Sequence, residues 1–185
     1  MNNLIPTIVR SKNELEQIHQ LNKENLRSPG KKEEQKSEGF VSWLYSMELL
    51  EKMHAIAPSI IVRDENKIAG YALVALKEME VFHADLQTMF SHILRLRYLD
   101  QPLSQFTFYC MGQICVDKNY RGMGIVNLLY QKHKEIYSSN YRLLVTEIST
   151  SNIRSQRAHE KIGFKIIYSY RDNVDEWNVV VWDWR

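Results

Sequence analysis

The run Gln113-Ile-Cys-Val-Asp-Lys-Asn-Tyr-Arg121-Gly122-Met123-Gly124-Ile125-Val126 holds residues suited to gripping an anion. A glycine lacks Cβ, so its backbone takes unusual φ values and comes close to a ligand. The first N–H groups of a helix have no partner inside it and point outward, at the positive end of its dipole. Arg121 adds a fixed positive charge at the entrance. Ile114, Cys115 and Val116 are strand-type residues, and the polar residues Asp117 to Asn119 suit a turn. After Gly124, apolar residues stand at Ile125, Leu128, Leu129 and Ile136, which is helical spacing. The chemistry this order suggests is a pyrophosphate cradle. The bland alternative is a plain turn before a core helix.

Two familiar phosphate patterns do not fit. A P-loop needs Gly-Lys-Ser/Thr, and the dinucleotide fingerprint needs a third glycine and an acid about twenty residues on. The pattern that does fit is Arg/Gln-x-x-Gly-x-Gly/Ala, here Arg121-x-x-Gly124-x-Val126, with Val where Gly or Ala is usual. A second stretch, Asn152-Ile-Arg-Ser155-Gln-Arg-Ala158-His159-Glu-Lys-Ile-Gly163-Phe164, follows Asn-x-x-Ala/Ser-x-x-x-Tyr-x-Lys-x-Gly-Phe, with His159 at the Tyr position. In this order, with a strand over residues 143–148 between them, the motifs resemble those of the GNAT acetyltransferase superfamily.

That resemblance implies an α/β fold: a mixed, largely antiparallel sheet with helices on both faces, as one domain over residues 1–185. It implies acetyl-CoA as co-substrate. Arg121, Gly122, Met123, Gly124, Ile125 and Val126 would hold its pyrophosphate. Ile114, Cys115 and Val116 would pair with the pantetheine arm, with Asn152 and Ser155 beside it. Residues 106–116 and 143–148 would be parallel strands that splay around the acetyl group. A backbone N–H near Val116 would then meet the thioester carbonyl. The residues after the first helix would line the acceptor pocket, which singles out Phe40, Trp43 and Tyr45.

Acyl transfer to an amine needs a neutral amine and a proton for the departing thiolate. An alkyl amine has a pKa of about 10.4 and a thiol about 8.5, so a base serves the first need and an acid the last. In the superfamily the acid is often the tyrosine that His159 replaces. An imidazole can fill that role if its pKa and geometry suit; otherwise His159 packs against the cofactor or faces solvent. Tyr109 and Tyr168 are weaker alternatives. Glu147, on the neighbouring strand, is the candidate base. Cys115 reads as a small core residue rather than an acyl carrier.

The elements that must position these groups follow in chain order. Residues 7–10 read as a first strand. Ser11-Lys-Asn-Glu14 is a capping box, with Leu15, Ile18 and Leu21 at helical spacing behind it. Residues 28–39 are polar and read as a mobile loop. Ser46 suits the N-cap of a helix bearing Leu49, Leu50 and Met53. Residues 59–63 and 67–76 form a hairpin around Asp64-Glu-Asn66. Residues 78–100 predict a helix of more than four turns, an insert relative to the common superfamily plan, suited to a lid or a subunit contact. His83 and His92 lie in it and read as surface or satisfied histidines. Strands over 165–170 and 177–184 close the chain.

The chain has 185 residues, 44% of them apolar, enough for one sizeable core. A formal charge of +2 makes no case for nucleic acid or an anionic membrane. No apolar run reaches spanning length, and the first residues do not read as a signal peptide. Cys110 and Cys115, about 16 Å apart on one strand, are beyond disulfide reach, which fits a cytoplasmic protein. No metal-ligand spacing is present. The expected function is acetyl transfer from acetyl-CoA to an amine of a small molecule or peptide, by direct attack in a ternary complex. A CoA-binding sensor or interaction module that no longer turns over is the alternative. The acceptor has no readable code, and a homodimer through the insert or the Trp-rich last strand is an open possibility.

Overall fold

The computed structural model describes residues 3–28, 30 and 38–185. The expected mobile loop falls mostly on residues outside that set.

The first strand, β1 (Leu4–Ile8), starts earlier than its pattern suggested. It contains Pro6, which donates no ladder hydrogen bond, and it lies at the sheet edge beside β2, where proline is tolerated. The capping box then opens α1 (Lys12–Glu24): the Ser11 side chain accepts from the Glu14 N–H, and the Glu14 carboxylate accepts from the Ser11 N–H. Leu15, Ile18 and Leu21 are buried as their spacing required. Ser46 caps α2 (Met47–Ile56), and Leu49, Leu50 and Met53 face inward. The hairpin follows as β2 (Ile60–Asp64) and β3 (Lys67–Ala75).

The insert is not one long helix. Lys77–Phe82 form a 3-10 turn, and α3 covers only Ala84–Ile93. His83 is extended (φ −157°), and its Nδ1 accepts from the Asp85 N–H at 3.2 Å, so this histidine starts α3 instead of continuing a helix. After α3 comes a small hairpin of β4 (Arg97–Tyr98) and β5 (Gln101–Pro102). Leu99 and Asp100 between them have φ of 49° and 59°, the left-handed pair that a two-residue hairpin turn needs. An apolar period reads straight across both breaks.

The remaining elements are β6 (Phe108–Val116), α4 (Ile125–Tyr137), β7 (Leu143–Ser149), α5 (Ile153–Ile162), β8 (Lys165–Arg171) and β9 (Glu176–Asp183). The main sheet has seven strands in the order β1-β2-β3-β6-β7-β9-β8. Only β6 and β7 run parallel; their other neighbours are antiparallel. Helices cover both faces of this mixed sheet. Val179, Val180 and Val181 are all buried in succession, which shows β9 covered on both sides. Beneath α4 lies an aromatic layer, where the Tyr109 hydroxyl meets His133 Nδ1 at 2.8 Å. Burial lowers the His133 pKa to about 3, so that imidazole stays neutral.

Candidate active site

The site begins where the two parallel strands part. β6 pairs with β7 only at Phe108, Tyr109 and Cys110, opposite Leu143, Leu144 and Val145. At the fork, the Thr146 hydroxyl donates to the Met111 carbonyl at 2.9 Å. Beyond it, the β6 edge facing β7 has no strand partner among the described residues. On its other side β6 shifts register against β3 between Leu73 and Val74, which leaves Gly112 as the extra residue of a bulge. The Tyr45 hydroxyl lies 2.7 Å from where a Gly112 Cβ would stand, so the bulge brings this strand against the residues before α2.

One cleft, about 180 Å³, opens at the C-terminal end of β6. Its floor is the turn into α4, whose N-cap is Gly124. Gly122 and Gly124 have φ of +81° and +78°, and nothing lies within 4 Å of where either Cβ would be. The backbone therefore turns left-handed here, at both glycines of the motif, and a side chain at neither would be crowded. Ile114, Cys115, Val116, Arg121, Gly122, Gly124, Ile125, Val126, Asn152 and Ser155 all line this cleft. Met123 does not; its N–H is turned back to the Tyr120 carbonyl. Val126 stands in the first turn of α4 and forms part of the wall. Burial pushes the Cys115 thiol up to about 12, which fits a packing residue and not a nucleophile.

The charge at this cleft comes from Arg121, Arg154 and Glu38. Arg121 pairs with the Glu38 carboxylate and donates to Asn25 Oδ1 at 3.1 Å. Arg154 reaches the same carboxylate at 3.7 Å.

A larger cleft, about 510 Å³, adjoins the first, and the residues the two share form the partition between them. Its polar wall carries Asp85, His92, Glu147 and Asp172, with no Lys or Arg among the lining residues. Trp43, Tyr45, Tyr170 and Trp177 supply aromatic surface. Phe40, Val41, Ile114, Asn152, Ser155 and His159 line both clefts, so the two meet there. Side-chain amides hold the strap of residues 39–45 in place. Asn22 Nδ2 and Gln113 Nε2 both donate to the Trp43 carbonyl, at 2.9 and 2.7 Å, and Asn152 Nδ2 donates to the Phe40 carbonyl at 2.9 Å.

His159 sits at the partition, but its geometry works against the expected role as an acid. Nδ1 lies 2.8 Å from the Ser155 carbonyl, which only accepts, so Nδ1 carries the proton. Nε2 then accepts from the Tyr130 hydroxyl at 2.5 Å. Burial lowers the pKa to about 4 and keeps the ring neutral. Of the alternative acids, Tyr109 is buried against His133, and Tyr168 is exposed on β8.

Glu147 projects from β7 into the larger cleft. Burial raises its pKa, and His92 on α3 opposes that rise. His92 Nδ1 lies 3.2 Å from Glu147 Oε1. The Tyr170 ring packs edge-on against His92 at 4.3 Å, and its phenol pKa is raised by burial and by the Glu147 charge.

The sequence pattern of the acetyltransferase (GNAT) family matches residues 15–164. The chain belongs to the GNAT acetyltransferase family. No curated protein sequence matches it. Among solved structures, the NatC complex bound to Gag peptide and CoA has a chain 14% identical, with a TM-score of 0.68 and full coverage of both chains (100% and 100%). Arabidopsis thaliana Naa50, in complex with the bisubstrate analogue CoA-Ac-MVNAL, is 16% identical at a TM-score of 0.63, covering 98% of this chain and 99% of that one. An N-acetyltransferase from Staphylococcus aureus Mu50 is 17% identical at 0.62, covering 98% of each. At such identities these structures share the fold.

The GNAT motifs point to the smaller cleft but pass over Glu38, Asn25 and Arg154 in its wall. They also miss most of the larger cleft. Asp85, His92, Glu147 and Asp172 are far apart in sequence and meet only because α3, β7 and the end of β8 converge. His92 carried no signal of its own; its partner is 55 residues away.

Proposed function

We propose that this GNAT protein transfers the acetyl group of acetyl-CoA to a primary amine of a small-molecule or peptide acceptor, by direct attack with both substrates bound. The observation that carries this reading is the division of charge. A cleft with two arginines against one glutamate, and a helix N-terminus, meets at one partition a cleft lined by three carboxylates and two histidines, with no Lys or Arg. The first suits a pyrophosphate and the second an ammonium group.

The residues present fit acetyl-CoA. The N–H groups at the start of α4 would take the pyrophosphate with Arg121 and Arg154, once Glu38 yields. The unpaired edge of β6 at Ile114, Cys115 and Val116 would run beside the pantetheine arm, with Asn152 and Ser155 across from it. Bound acetyl-CoA supplies a thioester carbon open to attack. N–H groups on the β6 edge, fixed by the sheet, would polarise its carbonyl without reorganising. Trp43 and Tyr45 wall the acceptor side, with ring centroids 4.1 Å apart. His159 is better suited to bracing the partition than to giving up its proton. Both cysteines are unpaired and buried, and no described helix is long and apolar enough to cross a membrane. Both facts are compatible with work in the cytoplasm.

The committed state of His159 favours one second reading, a CoA-binding protein without turnover. Titration calorimetry with acetyl-CoA and CoA, followed by a panel of small amines and peptides with a free-thiol readout, separates the two. Binding with thiol release for some amine establishes the transferase. Binding with no release across the panel favours the second reading, and no binding overturns both.

A further inference from the structure

We propose that His92, on the inserted α3, takes the proton from the acceptor amine, and that Glu147 is the carboxylate that fixes its tautomer. The proposal rests on the transferase reading above and departs from the simpler choice of Glu147 as base.

The geometry is that of an oriented imidazole. Glu147 Oε1 lies 3.2 Å from His92 Nδ1. An ionised carboxylate only accepts, so Nδ1 carries the hydrogen and Nε2 keeps its lone pair. Nε2 has no hydrogen-bond partner among the described residues, and both side chains line the larger cleft. The His92 side chain is 28% exposed and that of Glu147 17%, so the imidazole is the more open of the two. The Tyr170 and Tyr168 rings, at 4.3 and 5.8 Å from the His92 ring, hold it from the β8 side.

Other titratable groups bear on the pair from each side. Tyr170 and Asp172 come from the end of β8, Asp85 from the first turn of α3, and Cys110 from β6 beneath Glu147. The carboxylates attract the ammonium form of an acceptor and favour an imidazolium once it forms. In the step itself, one N–H bond of the ammonium breaks and its electron pair stays on nitrogen. The proton bonds to Nε2, and the imidazolium keeps its Nδ1–H on Glu147. The freed lone pair would then attack the thioester carbon; the C–S bond breaks with its electron pair on sulfur, and the leaving thiolate takes the second proton that the nitrogen sheds as the amide forms.

The test uses the full-length protein in two measurements. Long-range ¹H–¹⁵N spectra of labelled histidine report the tautomer without any substrate. The expected result is Nδ1–H for His92, lost in Glu147→Ala; an Nε2–H tautomer in the wild type overturns the proposal. Kinetics with the best amine of the panel then assign the base. His92→Gln should lower kcat about 100-fold or more, remove the acid-side fall of the pH–rate profile, and leave CoA affinity and thermal unfolding unchanged. Glu147→Gln should cost less, because His92 keeps its lone pair and loses only the carboxylate that orients it. The reverse pattern, a mild His92→Gln and a Glu147→Gln without the acid-side fall, makes Glu147 the base and overturns the proposal. If no amine is acetylated, the transferase reading fails and the proton-accepting role falls with it, while the tautomer still decides whether the pair is oriented as described.

Discussion

Arg121 meets a counter-ion of the protein's own before it meets any phosphate. Its guanidinium is held by Glu38, and Arg154 shares that carboxylate. A phosphate bound at these arginines, as proposed above, would compete with an internal carboxylate for the same donors. Two substitutions separate attraction from competition. Arg121→Glu should weaken CoA binding severely in calorimetry. Glu38→Gln, which removes the competing charge and keeps the size, should tighten it several-fold, and an unchanged affinity would show that Glu38 does not compete. His159 makes a different prediction. Its folded pKa, about 4, lies below the ordinary 6.5, so the unfolded chain binds this proton first as pH falls. The stabilisation is fully present above pH 6.5 and is lost as pH drops toward 4, by roughly 3 kcal/mol. Urea unfolding at pH 7 and pH 5 should therefore show a smaller difference in His159→Gln than in the wild type. His133 leaves a residual slope of the same sign. The place of Arg121 at the smaller cleft was legible in the sequence, because it sits in a contiguous turn. The state of His159 was not, since the burial that keeps its ring neutral and the Tyr130 hydroxyl on its Nε2 come from other elements.

At the scale of elements, the cradle depends on how closely α4 rests on the sheet. Gly70 on β3 lies under the start of that helix. A Cβ there would stand 2.8 Å from Ile125 Cγ2 and 2.9 Å from the Cys115 carbonyl oxygen. The second is backbone and cannot swing aside. Gly70→Ala should cost about 1–3 kcal/mol from overpacking, seen as a melting temperature lower by several degrees, and should also weaken CoA binding by shifting the first turn of α4. A variant that melts lower but binds CoA normally would show that the turn moves independently of the sheet. Nothing in the sequence around Gly70 announces this contact, because it joins β3 to a helix more than fifty residues later. Capping explains which elements were legible. Ser11 with Glu14, and Ser46 before α2, mark helix starts in a few adjacent residues. In the insert, apolar spacing persisted across His83 and across the positive φ of Leu99 and Asp100, and periodicity carries no information about either break.

For the whole molecule, a formal charge of +2 hides a strong local division, basic at the smaller cleft and acidic at the larger. Composition could not reveal it, since it arises only when residues 85, 147 and 172 gather on one side of the β6–β7 fork. The overall architecture was far more legible than the larger cleft, because two local motifs in order imply the fold around them. The strap of residues 39–45 belongs to both sides. Phe40 and Val41 line the two clefts at once, and its anchors at Asn22, Gln113 and Asn152 come from three separate elements. In thermodynamic terms it is a shared wall. If moving that wall lets one ligand change the affinity of the other, the second must change the affinity of the first by the same factor. Measuring either affinity in the presence of the other would read that coupling directly.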